Sequence, residues 1–172
     1  MNTRECIATK LDIREFSSDE VSTNTIKEIL ESARKTGSGL NTQHWRFILV
    51  REKDNLKKLS DTSTSGQWII GANFAIIILT DPKYSFHLLD AGRLIQNMQL
   101  SAWDEGIGSG IYTGVIPDQM RKHFNLPSDL NISAVLGFGY PKNRIKGNTK
   151  NRKSIEDISS IESFGRSIKE IL

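Results

Sequence analysis

The stretch NFAIIILTDP, residues 73–82, constrains the fold more than any other part of this chain. A strand with one wet face alternates apolar and polar residues; this run does not alternate, so both of its faces must be covered. RFILVR (46–51) has the same character, and ISAVLGFGYP (132–141) is a further apolar strand ending in Gly-Tyr-Pro. Such strands need helices packed on a sheet.

Helical patterns lie between them. In TIKE (25–28) Thr25 can cap and Glu28 can reach back, while Ile26, Ile29, Leu30 and Ala33 follow at helical spacing and Gly37 is placed to stop the helix. A charged helix is expected from about Lys53. A long helix over residues 86–104 carries Leu88, Ala91, Ile95, Met98 and Ala102 on one stripe. Phe86, Leu89, Leu100 and Trp103 lie off that stripe, so the helix is either central to a core or shared with a partner subunit. The expected order is helix, strand, helix, strand, long helix, strand, short helix, strand, then a tail (163–172) able to form a short amphipathic helix.

At 172 residues, one domain over residues 1–172 is expected. The single cysteine, Cys6, leaves no intrachain disulfide and no Cys-x-x-Cys pair, which fits a reducing compartment. The N-terminal residues carry no apolar segment of signal-peptide length, and FAIIILT is too short to cross a bilayer. A cytoplasmic protein with no membrane partner is the expectation.

A net charge of +3 invites a nucleic-acid reading. The only cluster is the run 142–153, with Lys142, Arg144, Lys146, Lys150, Arg152 and Lys153, interleaved with Gly and Asn rather than aromatics. A solvated loop or a phosphate-holding segment accounts for it better than nucleic-acid binding.

No nucleophile, base and carboxylate motif accompanies His44, His87 or His123, each of which reads as a loop or surface residue, and SSDE (17–20) reads as a polar turn. GIGSGIYTG (106–114) begins like a phosphate loop but matches neither Gly-x-Gly-x-x-Gly after a strand nor the P-loop. What remains suits an anionic, planar, hydrogen-bonding ligand. Lys10 and Arg14, four apart, share a face if that stretch is helical, and Lys150 and Arg152 lie near the other end of the chain. Cations from both ends could converge on one phosphate, Arg forking onto its oxygens and Lys acting as a point charge.

Five ordered pieces, KLDIREF (10–16), ARKTGSGLNTQHWRF (33–47), DAGRLIQNMQLSAWDEGIGSG (90–110), LGFGYP (136–141) and KNRKSIED (150–157), together resemble the FMN-dependent nitroreductase family. The resemblance implies an α+β sandwich, with a mixed central β-sheet flanked by helices, in an intertwined homodimer whose C-terminal segment extends onto the partner. It implies FMN as cofactor and NADH or NADPH as donor. The implied activity is a two-half-reaction transfer of electrons to a small-molecule acceptor such as a nitroaromatic or quinone. A dedicated substrate, such as a halogenated aromatic or a flavin, and a basic nucleic-acid-binding protein on the same scaffold are the alternatives.

Carried over by position, Lys10, Leu11, Asp12 and Arg14 occupy the family's phosphate turn, and Lys150 and Arg152 match its C-terminal basic pair. Gly37, Ser38, Gly39 and Asn41 match the loop laid against the other subunit's flavin, while Ile111, Thr113 and Gly114 match the segment lining the ring near its reactive nitrogen. No side-chain acid or base is needed, because the flavin carries the redox chemistry. The chain departs from the family at Asp12 and Leu11 in the phosphate turn, at His44 where a proline is usual, and at Thr36-Gly37. Asp12 beside a phosphate is expected to turn away or to pair with Lys10 or Arg14.

Overall fold

Every residue of β2 (Phe74–Thr80) is buried, as the missing alternation requires. In the computed structural model, which describes residues 1–143 and 150–171, successive side chains of β2 feed two separate cores. Phe74, Ile76 and Ile78 face α2 (Thr23–Arg34) and α4 (His87–Asp104), meeting Ile29, Ala33, Leu94 and Met98. Ala75, Ile77 and Leu79 face α3 (Lys53–Asp61) and α5 (Pro117–Phe124), meeting Leu56, Leu59 and Met120. Each of the three isoleucines is fully buried, contributing roughly 1.5–3 kcal/mol by leaving water.

With β1 (Arg46–Val50), β3 (Gly108–Tyr112) and β4 (Asn131–Gly139), β2 forms a sheet of order β1-β2-β4-β3. The expected α+β sandwich is therefore present. Its ladders are all antiparallel among the described residues, and the parallel component of the mixed sheet is one bridge, Asp12 to Ser109. β1 is less covered than its apolar run suggests. It is an edge strand, where Val50 is buried but Leu49 is exposed.

The first two helices differ from expectation. α1 (Thr3–Thr9) has no counterpart in the expected order; Asn2 caps it by accepting from Glu5 N–H at 3.0 Å. α2 begins a turn before Thr25, with Ser22 as its cap accepting from Thr25 N–H at 3.1 Å, and Glu28 bonds Asn24 instead of reaching back. It ends at Arg34, before Gly37 can act as its stop.

α4 buries Ala91, Met98, Ala102 and Trp103, but Leu88 and Leu89 are 57% and 68% exposed. Its own chain thus leaves the first turn of the helix uncovered, both on the main stripe at Leu88 and off it at Leu89. The tail is not an amphipathic helix: α6 (Ile155–Ile158) and a 3-10 turn (Ile168–Glu170) are joined by exposed chain, and Phe164 and Ile158 are exposed. No described side chain from 150 to 171 is buried.

Candidate functional site

The glycines of GIGSG make room for a neighbouring segment. A Cβ on Gly108 would come within 2.7 Å of the Ile13 side chain, and one on Gly110 within 2.7 Å of the Ile13 carbonyl oxygen. The chain from Lys10 to Arg14 therefore lies flat along β3, with Ile13 N–H donating to the Ser109 carbonyl at 2.8 Å. It is not helical, so the condition under which Lys10 and Arg14 would share a helix face is not met.

Lys10 forms an ion pair with Asp12, one of the outcomes expected for that carboxylate. The Arg14 guanidinium lies 5.8 Å from the centre of the Trp68 ring. Lys150 returns from the far end of the sequence to donate from Nζ to the Ile7 carbonyl at 2.6 Å, one turn before Lys10. A cation suits the unsatisfied carbonyls of a helix C-terminus. Lys150 thus lies against the last turn of α1, whose C-cap is Lys10. Arg152 donates to the neighbouring Asn151 carbonyl and is exposed; Arg144 and Lys146 of the basic run lie outside the described residues.

Ile111, Thr113 and Gly114 continue the same edge. Ile111 packs on the α2/α4 core and Thr113 is exposed. Gly114 is pressed by a turn that the sequence reading passed over: its Cβ would meet Thr64 Oγ1 at 2.2 Å and Ser65 Oγ at 2.8 Å, and its carbonyl accepts from Thr64 N–H at 2.8 Å. Only the turn composition of TSTSG could have marked these hydroxyls. Tyr112 points the other way, donating to the Leu59 carbonyl at 3.3 Å, and burial pushes its phenol up so that it stays neutral.

The loop 37–43 has a sharply defined shape. Leu40, Asn41 and Gln43 all have positive φ (51°, 55° and 46°), a region that disfavours side chains and persists only where surroundings enforce it. Ser38 Oγ accepts from Gln43 N–H at 3.0 Å, and Gln43 Nε2 donates to Asn41 Oδ1 at 3.1 Å. Gly39 cannot carry a side chain, because its Cβ would lie 2.5 Å from the Phe86 ring. Its N–H donates to Asp90 Oδ2 at 2.9 Å.

His44 is the clearest correction. It stands in the loop before β1, but it is buried instead of at the surface, with its side chain 2% exposed and its Nε2 3.2 Å from the same Asp90 oxygen. Tyr84 and Phe86 pack against its ring.

In one chain these two groups of residues do not meet. The loop enters β1 at Arg46, opposite Leu79, whereas the cationic segment bridges Ser109, opposite Phe138 and hence Phe74. They are separated by three strand spacings across the sheet, about 14 Å, and by five residues along it, about 17 Å. The loop's tip, Leu40, is 88% exposed and points no apolar surface at its own chain's core. Among the described residues no group of His, Cys, Asp and Glu could hold a metal ion, and no helix is long and apolar enough to cross a membrane.

Fold and candidate site define an α+β protein with a cation-bearing segment beside β3 and a polar loop before β1, at opposite corners of one sheet. The chain belongs to the nitroreductase family, whose model matches residues 7–74 and 63–140. An Archaeoglobus fulgidus relative named "Putative NADH dehydrogenase/NAD(P)H nitroreductase" is 34% identical over 146 residues, 79% of this chain and 83% of that protein. A solved Desulfovibrio desulfuricans protein in complex with FMN superposes with a TM-score of 0.81 at 26% identity, covering 95% of this chain and 99% of its own. An FMN-dependent nitroreductase from Clostridium difficile shares the fold, with a TM-score of 0.78 at 24% identity over 83% of this chain and 90% of that one.

Proposed function

We propose that this protein is an FMN-dependent oxidoreductase that works as a homodimer, each of its two flavin sites built from both subunits. The observation that carries this reading is the placement of the candidate residues at opposite corners of the sheet. A second copy related by a two-fold axis brings the loop of one chain to the cationic edge of the other. Exposed Leu40, Leu88 and Leu89 on one side, and the unburied tail with Phe164 and Ile158, supply apolar surface for such a partner.

The residues present fit FMN. Lys10, Arg14 and Lys150 would hold the phosphate, with Arg152 close in sequence to join them. The backbone of Ile111, Thr113 and Gly114 would line the ring, Gly114 permitting close approach of main chain. Ser38, Gly39 and Asn41 would close the site from the other subunit. The chemistry that FMN supplies when bound is acceptance of a hydride from NADH or NADPH and delivery of electrons to a nitroaromatic, quinone or similar acceptor. The protein's own part is to orient, to hold charge and to leave one ring face open. Tyr112, kept neutral by burial and turned into the core, takes no part in proton transfer.

The test is spectroscopic. Purified protein incubated with FMN and desalted should keep flavin absorbance at two flavins per dimer mass, bleach anaerobically with NADH or NADPH, and recover with a quinone. Protein that retains no flavin would remove the reading.

Asp12 makes a further expectation possible. It occupies Lys10 and places negative charge where a phosphate would sit. Asp12→Ser should tighten FMN binding about five- to tenfold, a modest gain because Asp12 is half exposed and screened. The gain should shrink as salt is raised, which fluorescence titration at two ionic strengths would show.

A further inference from the structure

The buried pair His44–Asp90 joins the two ends of the loop that would reach the neighbouring flavin. Asp90 Oδ2 accepts from Gly39 N–H at 2.9 Å, at the head of the loop, and from His44 at 3.2 Å, where the loop enters β1. Its other oxygen accepts from Arg93 Nη1 at 3.3 Å. Asp90 is 1% exposed, and a carboxylate so deep is tolerated only because those donors surround it.

The histidine tautomer follows from its neighbours. Asp90 accepts here, so Nε2 carries the proton; Nδ1 is buried with no partner among the described residues and therefore has the bare lone pair. An N–H left there without an acceptor would be the costlier arrangement. His44 thus serves as a fixed donor through Nε2, held by the Tyr84 and Phe86 rings.

We infer that His44 and Asp90 are positioning residues for the cofactor: they clamp the loop 37–43 into the left-handed conformations of Leu40, Asn41 and Gln43 and so set FMN affinity in the partner's site. This rests on the flavin reading above. A flexible loop must lose conformational freedom when it closes on a ligand, and a clamped one has already lost it. Within the nitroreductase resemblance a proline usually stands where this chain has His44. The restriction that a proline supplies through its ring is here supplied by a side-chain hydrogen bond to a helix.

The test compares His44→Phe, which fills the aromatic cage without a donor, with His44→Gln, whose amide can offer an N–H to Asp90. His44→Phe should remain a dimer, exchange its Gly39 amide hydrogen faster in the absence of FMN, and bind FMN about tenfold more weakly, the scale of one charge-assisted hydrogen bond. His44→Gln should recover both within about threefold.

Mixed dimers give the decisive result. A His44→Phe chain has an intact phosphate edge, and an Arg14→Glu chain an intact loop. Together they should form one site of wild-type affinity per dimer, because edge and loop come from different chains.

Equal FMN affinity in His44→Phe and wild type, no recovery by His44→Gln, or no restored site in the mixed dimer would each overturn the inference. Wild-type protein that binds no FMN would overturn the flavin reading and this role with it, an outcome told apart because wild type then fails alongside the variant.

Discussion

Arg14→Glu is expected to weaken FMN binding about 100-fold while leaving the fold intact. Unit charges about 4 Å apart interact by roughly 4 kcal/mol at an effective dielectric near 20, and solvent screening at this exposed edge reduces that by half or more. Reversal removes one attraction and adds one repulsion, so about 100-fold is a restrained figure. Arg14 is exposed and its recorded contact is the Trp68 ring face at 5.8 Å, worth about 0.5–1 kcal/mol, so unfolding should shift little. Arg14→Lys separates charge from geometry: it keeps the cation but loses the fork, and should weaken binding only severalfold. Fluorescence titration with FMN at low and high salt measures all three proteins. A dissociation constant for Arg14→Glu within threefold of wild type would place the phosphate elsewhere.

The same edge shows why much of this molecule could be read from its sequence. β2 was legible because burial on both faces forbids polar residues, and that leaves a local mark. The glycines of β3 were visible as a motif, but their purpose was not. Only the placement of Ile13 against Gly108 and Gly110 shows that they admit the segment 10–14. For Asp12 the sequence leaves three outcomes, turning away or pairing with Lys10 or with Arg14, and the fold selects Lys10.

What the sequence hid depends on distance along the chain. His44 meets Asp90 across 46 residues, and nothing local to either announces the pair. α1 carries one buried residue, Cys6, too little for an apolar period to register. For α2, Ser22 and Thr25 are both competent caps three residues apart; the earlier one adds a turn of helix, which the later one would forgo. β1 reads as buried because its composition is apolar, while its place at the sheet edge is a property of topology alone.

Phe138→Ala should produce the largest loss of stability, about 3–5 kcal/mol, and added FMN should offset a defined part of it. Phe138 is fully buried and stacks on Phe74 with ring centres 4.8 Å apart, so truncation forfeits both transfer energy and a paired ring. Such a loss is a large fraction of a typical domain's 5–15 kcal/mol. Phe138→Leu, which refills most of the volume, should lose clearly less. The position also matters to the site. Phe138 pairs in register with Ser109, and Ser109 bridges Asp12, so the cavity lies one strand from the phosphate edge. If FMN binds only the native state, ligand at 100 times its dissociation constant stabilises by about 2.7 kcal/mol, whichever variant carries it. Thermal unfolding with and without FMN separates two outcomes. A similar rise in stability in Phe138→Ala and wild type means that the edge survives the cavity. A smaller rise in the variant, with a weaker dissociation constant to match, means that Phe74–Phe138 packing holds the edge in its binding geometry. Absence of any FMN-dependent shift in either protein would contradict native-state flavin binding altogether.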